Sequence, residues 1–149
     1  MKRGKAVVAA LALLTSGLTS GLVAGCGDGS AVSDFGTVVR GAKGTTVRAE
    51  LRPGQRFSLA VPDNPSVGDD WRLAAVPDAR VASYISEERK SAGQGPGSGG
   101  TAYFVFNTKS PGTAQITLRD CWRCGQSSTP PDEQSRRQSG EAVFEITVR

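Results

Sequence analysis

The sequence predicts an all-β fold, a two-sheet antiparallel β-sandwich, on three observations. Apolar residues alternate with polar or small ones in short runs, Phe57, Leu59 and Val61 in one and Trp71, Leu73 and Ala75 in another, the period-two signature of half-buried strands. Turn chemistry separates such runs at Arg52-Pro53-Gly54 and Ser110-Pro111-Gly112. No long segment carries a clean helical period, so short strands at near-regular spacing favour a sandwich over alternating strands and helices.

The chain opens on Met1-Lys2-Arg3-Gly4-Lys5, an apolar stretch over 6–14 and small residues leading to Val23-Ala24-Gly25-Cys26. A charged start, an apolar middle and a small-residue end define a secretory signal, expected over 1–25. Thr15, Ser16 and Gly17 interrupt the apolar stretch too soon for a comfortable membrane span. The run ending at Cys26 resembles a bacterial lipobox, which implies cleavage before Cys26, lipidation of that cysteine and an exported protein anchored to the cell membrane by acyl chains. Cleavage there removes Lys2, Arg3 and Lys5 and no acidic residue, so the formal charge falls from +4 to +1. With the basic excess confined to the leader, no nucleic-acid partner is expected.

Residues 26–34, with Gly27-Asp28-Gly29-Ser30, read as a flexible tether, and 35–149 as one domain able to bury roughly two-thirds of its unfolded surface. Strands are expected at 37–40, 45–51, 56–61, 71–76, 79–88, 101–108, 113–119 and 141–148, supported by β-branched and aromatic content. The Gly-, Ser- and Pro-rich stretch 91–100 and the polar stretch 123–140 with Pro130-Pro131 read as loops. The first is no phosphate cradle. A strand, Thr101 to Phe106, follows it where a cradle requires a helix N-terminus, so no nucleotide or other cofactor is expected.

The chain contains no histidine, which excludes imidazole as base or metal ligand. Nothing supplies a nucleophile with its base, so no catalytic residue is expected. With Cys26 acylated, Cys121 and Cys124 remain, and outside the cytoplasm so close a pair favours a structural disulfide, with redox and regulatory uses as alternatives. A zinc knuckle needs ligands beyond this pair, so no metal is expected.

The most informative run is Asn64-Pro65-Ser66-Val67-Gly68-Asp69-Asp70-Trp71. Pro65 fixes its own φ and drives Asn64 into extended geometry, while Gly68 can take the positive φ of a tight reversal. A stiff, protruding loop between two strands follows. It reads either as an ordinary turn or as a tool for filling another molecule's cleft.

Asn64-Pro65-Ser66-Val67-Gly68, Gly97-Ser98-Gly99-Gly100-Thr101 and Asp120-Cys121-Trp122, three loops in this order at strand ends, together resemble the chagasin family of cysteine-protease inhibitors, small immunoglobulin-like domains that plug the cleft of papain-like proteases. The family's Asn-Pro-Thr-Thr-Gly, followed by an aromatic, one residue and Trp, is matched by Asn64-Pro65-Ser66-Val67-Gly68, Asp69, Asp70 and Trp71. Its Gly-x-Gly-Gly-Thr is matched by Gly97-Ser98-Gly99-Gly100-Thr101. Its Arg-Pro-Trp corresponds to Asp120-Cys121-Trp122, with the tryptophan alone kept. The resemblance covers roughly 45–149 and implies a reversible, non-enzymatic inhibitor, expected to be a monomer. It also implies a protease-binding edge made of Asn64, Pro65, Ser66, Val67, Gly68, Gly97, Gly99, Gly100, Thr101 and Trp122.

Two departures define what the structure must answer. Asp69 stands where the family places an aromatic and Asp70 follows it, so Asp69 is expected either to face solvent or to meet a cation of the target, since a buried unpaired carboxylate costs several kcal/mol. The third loop lacks the family's arginine and proline, and a Cys121–Cys124 disulfide would stiffen it in the proline's stead. Trp71 is expected in the core, and Trp122 as an exposed anchor. The rival reading is an immunoglobulin-like adhesion or assembly lipoprotein that keeps these loops only as turn chemistry.

Overall fold

A computed structural model describes residues 33–149. The leader, Cys26 and all but the end of the tether lie outside the described residues. Eight strands follow in order: β1 (Thr37–Arg40), β2 (Thr46–Leu51), β3 (Arg56–Asp63), β4 (Trp71–Leu73), β5 (Ala82–Ser91), β6 (Gly100–Thr108), β7 (Gly112–Asp120) and β8 (Gly140–Val148), with a short helix α1 (Glu133–Gln138) before the last. They form two four-stranded sheets, β1-β3-β6-β5 and β2-β8-β7-β4. Alternation decides which residues meet between them. Phe57, Leu59 and Val61 of β3 and Phe104 and Phe106 of β6 face Ile116 and Leu118 of β7 and Phe144 and Ile146 of β8, all fully buried. Trp71 joins this core at 1 % exposure. Its indole N–H donates to the Pro62 carbonyl oxygen at 2.9 Å, which satisfies its one polar atom.

The sheets depart from the expected antiparallel pattern at one edge each, where β1 runs parallel to β3 and β2 parallel to β8. The chain does not return from β1 as a hairpin. It crosses from one sheet to the other through 41–45, with the Gly41 amide donating to Ala60 on one side and the Thr45 carbonyl accepting from Val143 on the other. Gly41 makes this crossing possible, because a Cβ there would lie 2.6 Å from the ring of Phe144.

The helix α1 falls inside the segment expected to be loop. It is six residues long and carries no apolar face, so hydrophobic periodicity could not reveal it. Local bonds hold it: Asp132 caps it by accepting from the Ser135 amide at 2.7 Å, and Glu133 pairs with Arg137 one turn on. Strand β4 ends at Leu73 rather than Val76, and β5 extends to Ser91.

Candidate functional site

Register places the three loops at one end of the sandwich. Asp63 at the end of β3 pairs with Gly100 at the start of β6, which also pairs with Ser91 at the end of β5. In the other sheet Asp120 at the end of β7 pairs with Trp71 and with Gly140. The loops 64–70, 92–99 and 121–139 therefore leave the same edge, and the crossing turn at 41–45 reaches it from the side.

The first loop is a compact turn. The Asn64 carbonyl accepts from the amides of Val67 and Asp69 at 3.1 and 3.2 Å, and Gly68 has φ +118°. A side chain at 68 is excluded twice over, by that φ and because its Cβ would sit 2.4 Å from Cγ of Arg123. Val67 stands out from the turn with 46 % of its surface exposed.

The neighbouring loops grip this turn from both sides. The Asn64 side-chain amide donates to the Gly97 carbonyl in the second loop at 3.4 Å. On the other side the Arg123 amide donates to Gly68 O at 2.8 Å, and Arg123 Nε donates to Val67 O at 3.3 Å. Gly100 allows β5 and β6 to close beneath the second loop, since a Cβ there would lie 2.2 Å from the Lys90 carbonyl oxygen. Gly97 has φ +80° with open space around it, the Gly99 carbonyl accepts from Ala92 across the loop base, and Thr101 lies within β6 itself.

Asp69 neither faces solvent nor waits for a target's cation. Its Oδ2 accepts from the Asn64 amide at 2.9 Å and its Oδ1 from Lys43 Nζ at 3.2 Å, so the carboxylate ties the turn shut from within. Asp70 is taken by Arg72 at 2.6 Å. Lys43 also meets Asp120 Oδ2 at 2.5 Å and Gln138 O at 2.9 Å, and Asp120 Oδ1 accepts from the Asp70 amide at 2.7 Å.

Trp122 is not the exposed anchor expected from the sequence. It is 9 % exposed, its amide bonded to Ser139 Oγ at 2.9 Å and its ring covered by the Arg123 guanidinium at 4.3 Å. What the third loop displays is Arg123, held at φ +53° between the bonded cysteines. A cation thus returns to this loop just after the tryptophan, although the position that carries the family's arginine holds Asp120. The Cys121–Cys124 disulfide is formed. Among the described residues no group of histidines, cysteines or carboxylates is arranged to hold a metal, and no helix is long and apolar enough to cross a membrane.

Buried carboxyls beside the loops set a pH dependence. Burial pushes Asp63 above the usual carboxylate range despite Arg89, and does the same to Asp120 despite Lys43; Glu87 is raised for the same reason. Each group holds its proton more readily folded than unfolded, so stability is fullest below the unfolded pKa and falls as pH rises through the folded one. Asp78 and Asp132 are lowered by hydrogen bonds to Arg80 and Ser135, but both are fully exposed and oppose the trend weakly. These three groups should therefore raise the thermal midpoint as pH is lowered from neutrality toward the unfolded carboxylate range of about 4. A midpoint that falls steadily as pH is lowered over that interval would contradict the assignment.

Lys43 and Arg123 are the site residues that the sequence motifs did not mark. For Arg123 a signal existed, a basic residue enclosed by two cysteines; for Lys43 the one signal was a lysine in a glycine-flanked turn, which is ordinary surface chemistry.

The profile of the chagasin family peptidase inhibitor I42 matches residues 50–136, which is 87 of the 149 residues. No curated protein matches the chain. Among solved structures, PbICP-C in complex with falcipain-2 superposes with a TM-score of 0.52 at 14 % identity, over 76 % of this chain and 100 % of that one. The cysteine protease inhibitor EhICP2 from Entamoeba histolytica gives 0.49 at 13 % identity, over 76 % and 96 %, and amebosin 0.49 at 17 %, over 76 % and 98 %. With more than half its length under the family profile, this chain belongs to the chagasin family of peptidase inhibitors, a non-enzymatic class.

Proposed function

We propose that this protein reversibly inhibits papain-like cysteine proteases by seating its three-loop edge in the active-site cleft. The observation that carries the reading is the bonding of the three loops into one unit, with Asn64 fastened to Gly97 and Gly68 to Arg123. A surface ordered before binding loses less conformational entropy on docking than a flexible one. The turn at Asn64–Gly68 leads, with Ser66 and Val67 foremost, and its closed shape keeps the backbone out of the extended pose that a protease cleaves. Gly97, Gly99 and Gly100 allow close backbone approach on one flank. On the other, Arg123 makes the outer contact and Trp122 supports it from beneath, a reassignment that its burial requires.

PbICP-C was solved in complex with falcipain-2, and that pairing supports the target class. The leader read from 1–25 and lipidation at Cys26 belong to the same proposal, that of an inhibitor held outside the cytoplasm on a lipid anchor. Titration of the domain from Asp28 onward against a panel of papain-like proteases should give competitive, reversible inhibition of at least one. Absence of inhibition across the panel would favour the adhesion or assembly reading.

A further inference from the structure

Lys43 lies before the matched segment 50–136, in the turn that crosses between the sheets, and belongs to none of the three loops. We propose that Lys43 is a positioning residue for the inhibitory edge, fixing the shape of the first loop through Asp69 and Asp120. The proposal rests on the inhibitory reading above and adds to it a residue that touches no target.

An ammonium has three N–H donors, and here three acceptors take them: Asp69 Oδ1 at 3.2 Å, Asp120 Oδ2 at 2.5 Å and Gln138 O at 2.9 Å. The second oxygen of each carboxylate holds a backbone amide of the first loop's frame. Asp69 Oδ2 takes the Asn64 N–H where the loop begins, and Asp120 Oδ1 takes the Asp70 N–H where it ends. One cation thus fixes both feet of the turn, and its third bond ties in the end of α1, the helix of the third loop.

Without the ammonium, two carboxylates face each other with Asp63 close behind them. Arg89 occupies Asp63, so it cannot replace Lys43 between Asp69 and Asp120. Asp120 is fully buried and Asp69 largely so, which makes a shared negative charge there costly. One carboxyl must then turn outward, which leaves a loop amide without its acceptor, or take up a proton, which leaves that amide a weaker, neutral one. Within the sheets Lys43 bonds only to Asp120, the last residue of β7, so its loss should be felt at that strand end and not in the core around Phe104 and Phe144.

The test compares wild type, Lys43→Met, Asp69→Asn and the double variant by residue-resolved amide hydrogen exchange and by inhibition of papain. Lys43→Met should speed exchange at Asn64 and Asp70 about tenfold while Phe104 and Phe144 stay protected. In the Asp69→Asn background the same change should add little at Asn64. Papain inhibition should weaken about fivefold, through faster dissociation. Unchanged exchange at Asn64, or an equal rise at Phe104 and Phe144, would overturn the proposal, the latter by revealing a general loss of stability. If wild type inhibits papain and Lys43→Met inhibits it equally well, the positioning role fails and the inhibitory reading stands. If wild type leaves papain untouched, papain is excluded as a target, and the exchange pattern decides the role of Lys43 by itself.

Discussion

Replacing Asn64–Gly68 with a Gly-Ser linker of equal length should abolish inhibition of a protease that the wild type blocks, while the thermal midpoint moves little. The linker keeps the chain connected but removes Pro65, the Asn64 side chain that reaches Gly97, and the exposed Val67. Ordering a flexible residue costs about 1 kcal/mol or more, so five freed residues forfeit several kcal/mol of binding, a loss of inhibition of at least about a hundredfold. Stability is spared because the fully buried side chains nearest the loop, Val61 and Trp71, belong to β3 and β4 and keep their partners. Gly68→Ala offers a single-residue companion. Its Cβ would strike the Arg123 side chain and its φ of +118° suits glycine alone, so the turn must rearrange and inhibition should fall sharply. Inhibition by the linker variant equal to that of wild type would sink the wedge mechanism.

The sandwich was legible because its strands bury one face, and burial imposes the period-two pattern on the sequence itself. Phe57, Leu59 and Val61 announce β3 for that reason, and Trp71 announces the core side of β4. Gly68 was legible through a related constraint, a turn that needs a positive φ, whereas Gly100 was marked by the family motif and its constraint against the Lys90 carbonyl came from the fold. Pairing direction leaves no such mark. A parallel edge strand and an antiparallel one carry the same alternation, and the parallel pairing here goes with the crossing at 41–45, where Gly41 leaves room for the Phe144 ring.

Long-range electrostatics left even less trace. Asp69 looked like a liability because its compensating cation lies 26 residues earlier, in a turn with no motif. Trp122 looked exposed because its loop is polar, whereas Arg123 covers its ring and its amide is bonded to Ser139 at the end of α1. The identity of a loop residue thus fixed its chemistry but not its orientation. That depended on partners brought in by the fold, and the correction moves the exposed side chain of the third loop by one residue, from Trp122 to Arg123.

Reduction of the Cys121–Cys124 disulfide should weaken inhibition by roughly ten- to thirtyfold without unfolding the sandwich. In a chain-entropy treatment a bridge closing so short a loop contributes about 2 kcal/mol, which acts locally here because the bridge lies beyond the end of β7. Arg123 lies inside the bridge at φ +53°, a left-handed conformation that costs a residue with a side chain about 1–2 kcal/mol. Once the bridge opens, Arg123 is free to return to ordinary backbone geometry. Its amide then leaves Gly68 O, its guanidinium leaves Val67 O and the Trp122 ring, and the first loop loses its grip on that side. Papain-like enzymes are kept active with added thiol, so the effect will appear in an ordinary assay as inhibition that fades with reductant after correction for enzyme activity. The paired Cys121→Ser, Cys124→Ser variant separates inhibitor from enzyme: it should inhibit weakly at every thiol concentration, while wild type moves from strong to equally weak inhibition as thiol rises. A variant as potent as oxidised wild type would show that the bonds of Arg123 to the first loop hold without the bridge, and the rigidity of the third loop would then have to be sought in α1 and its cap.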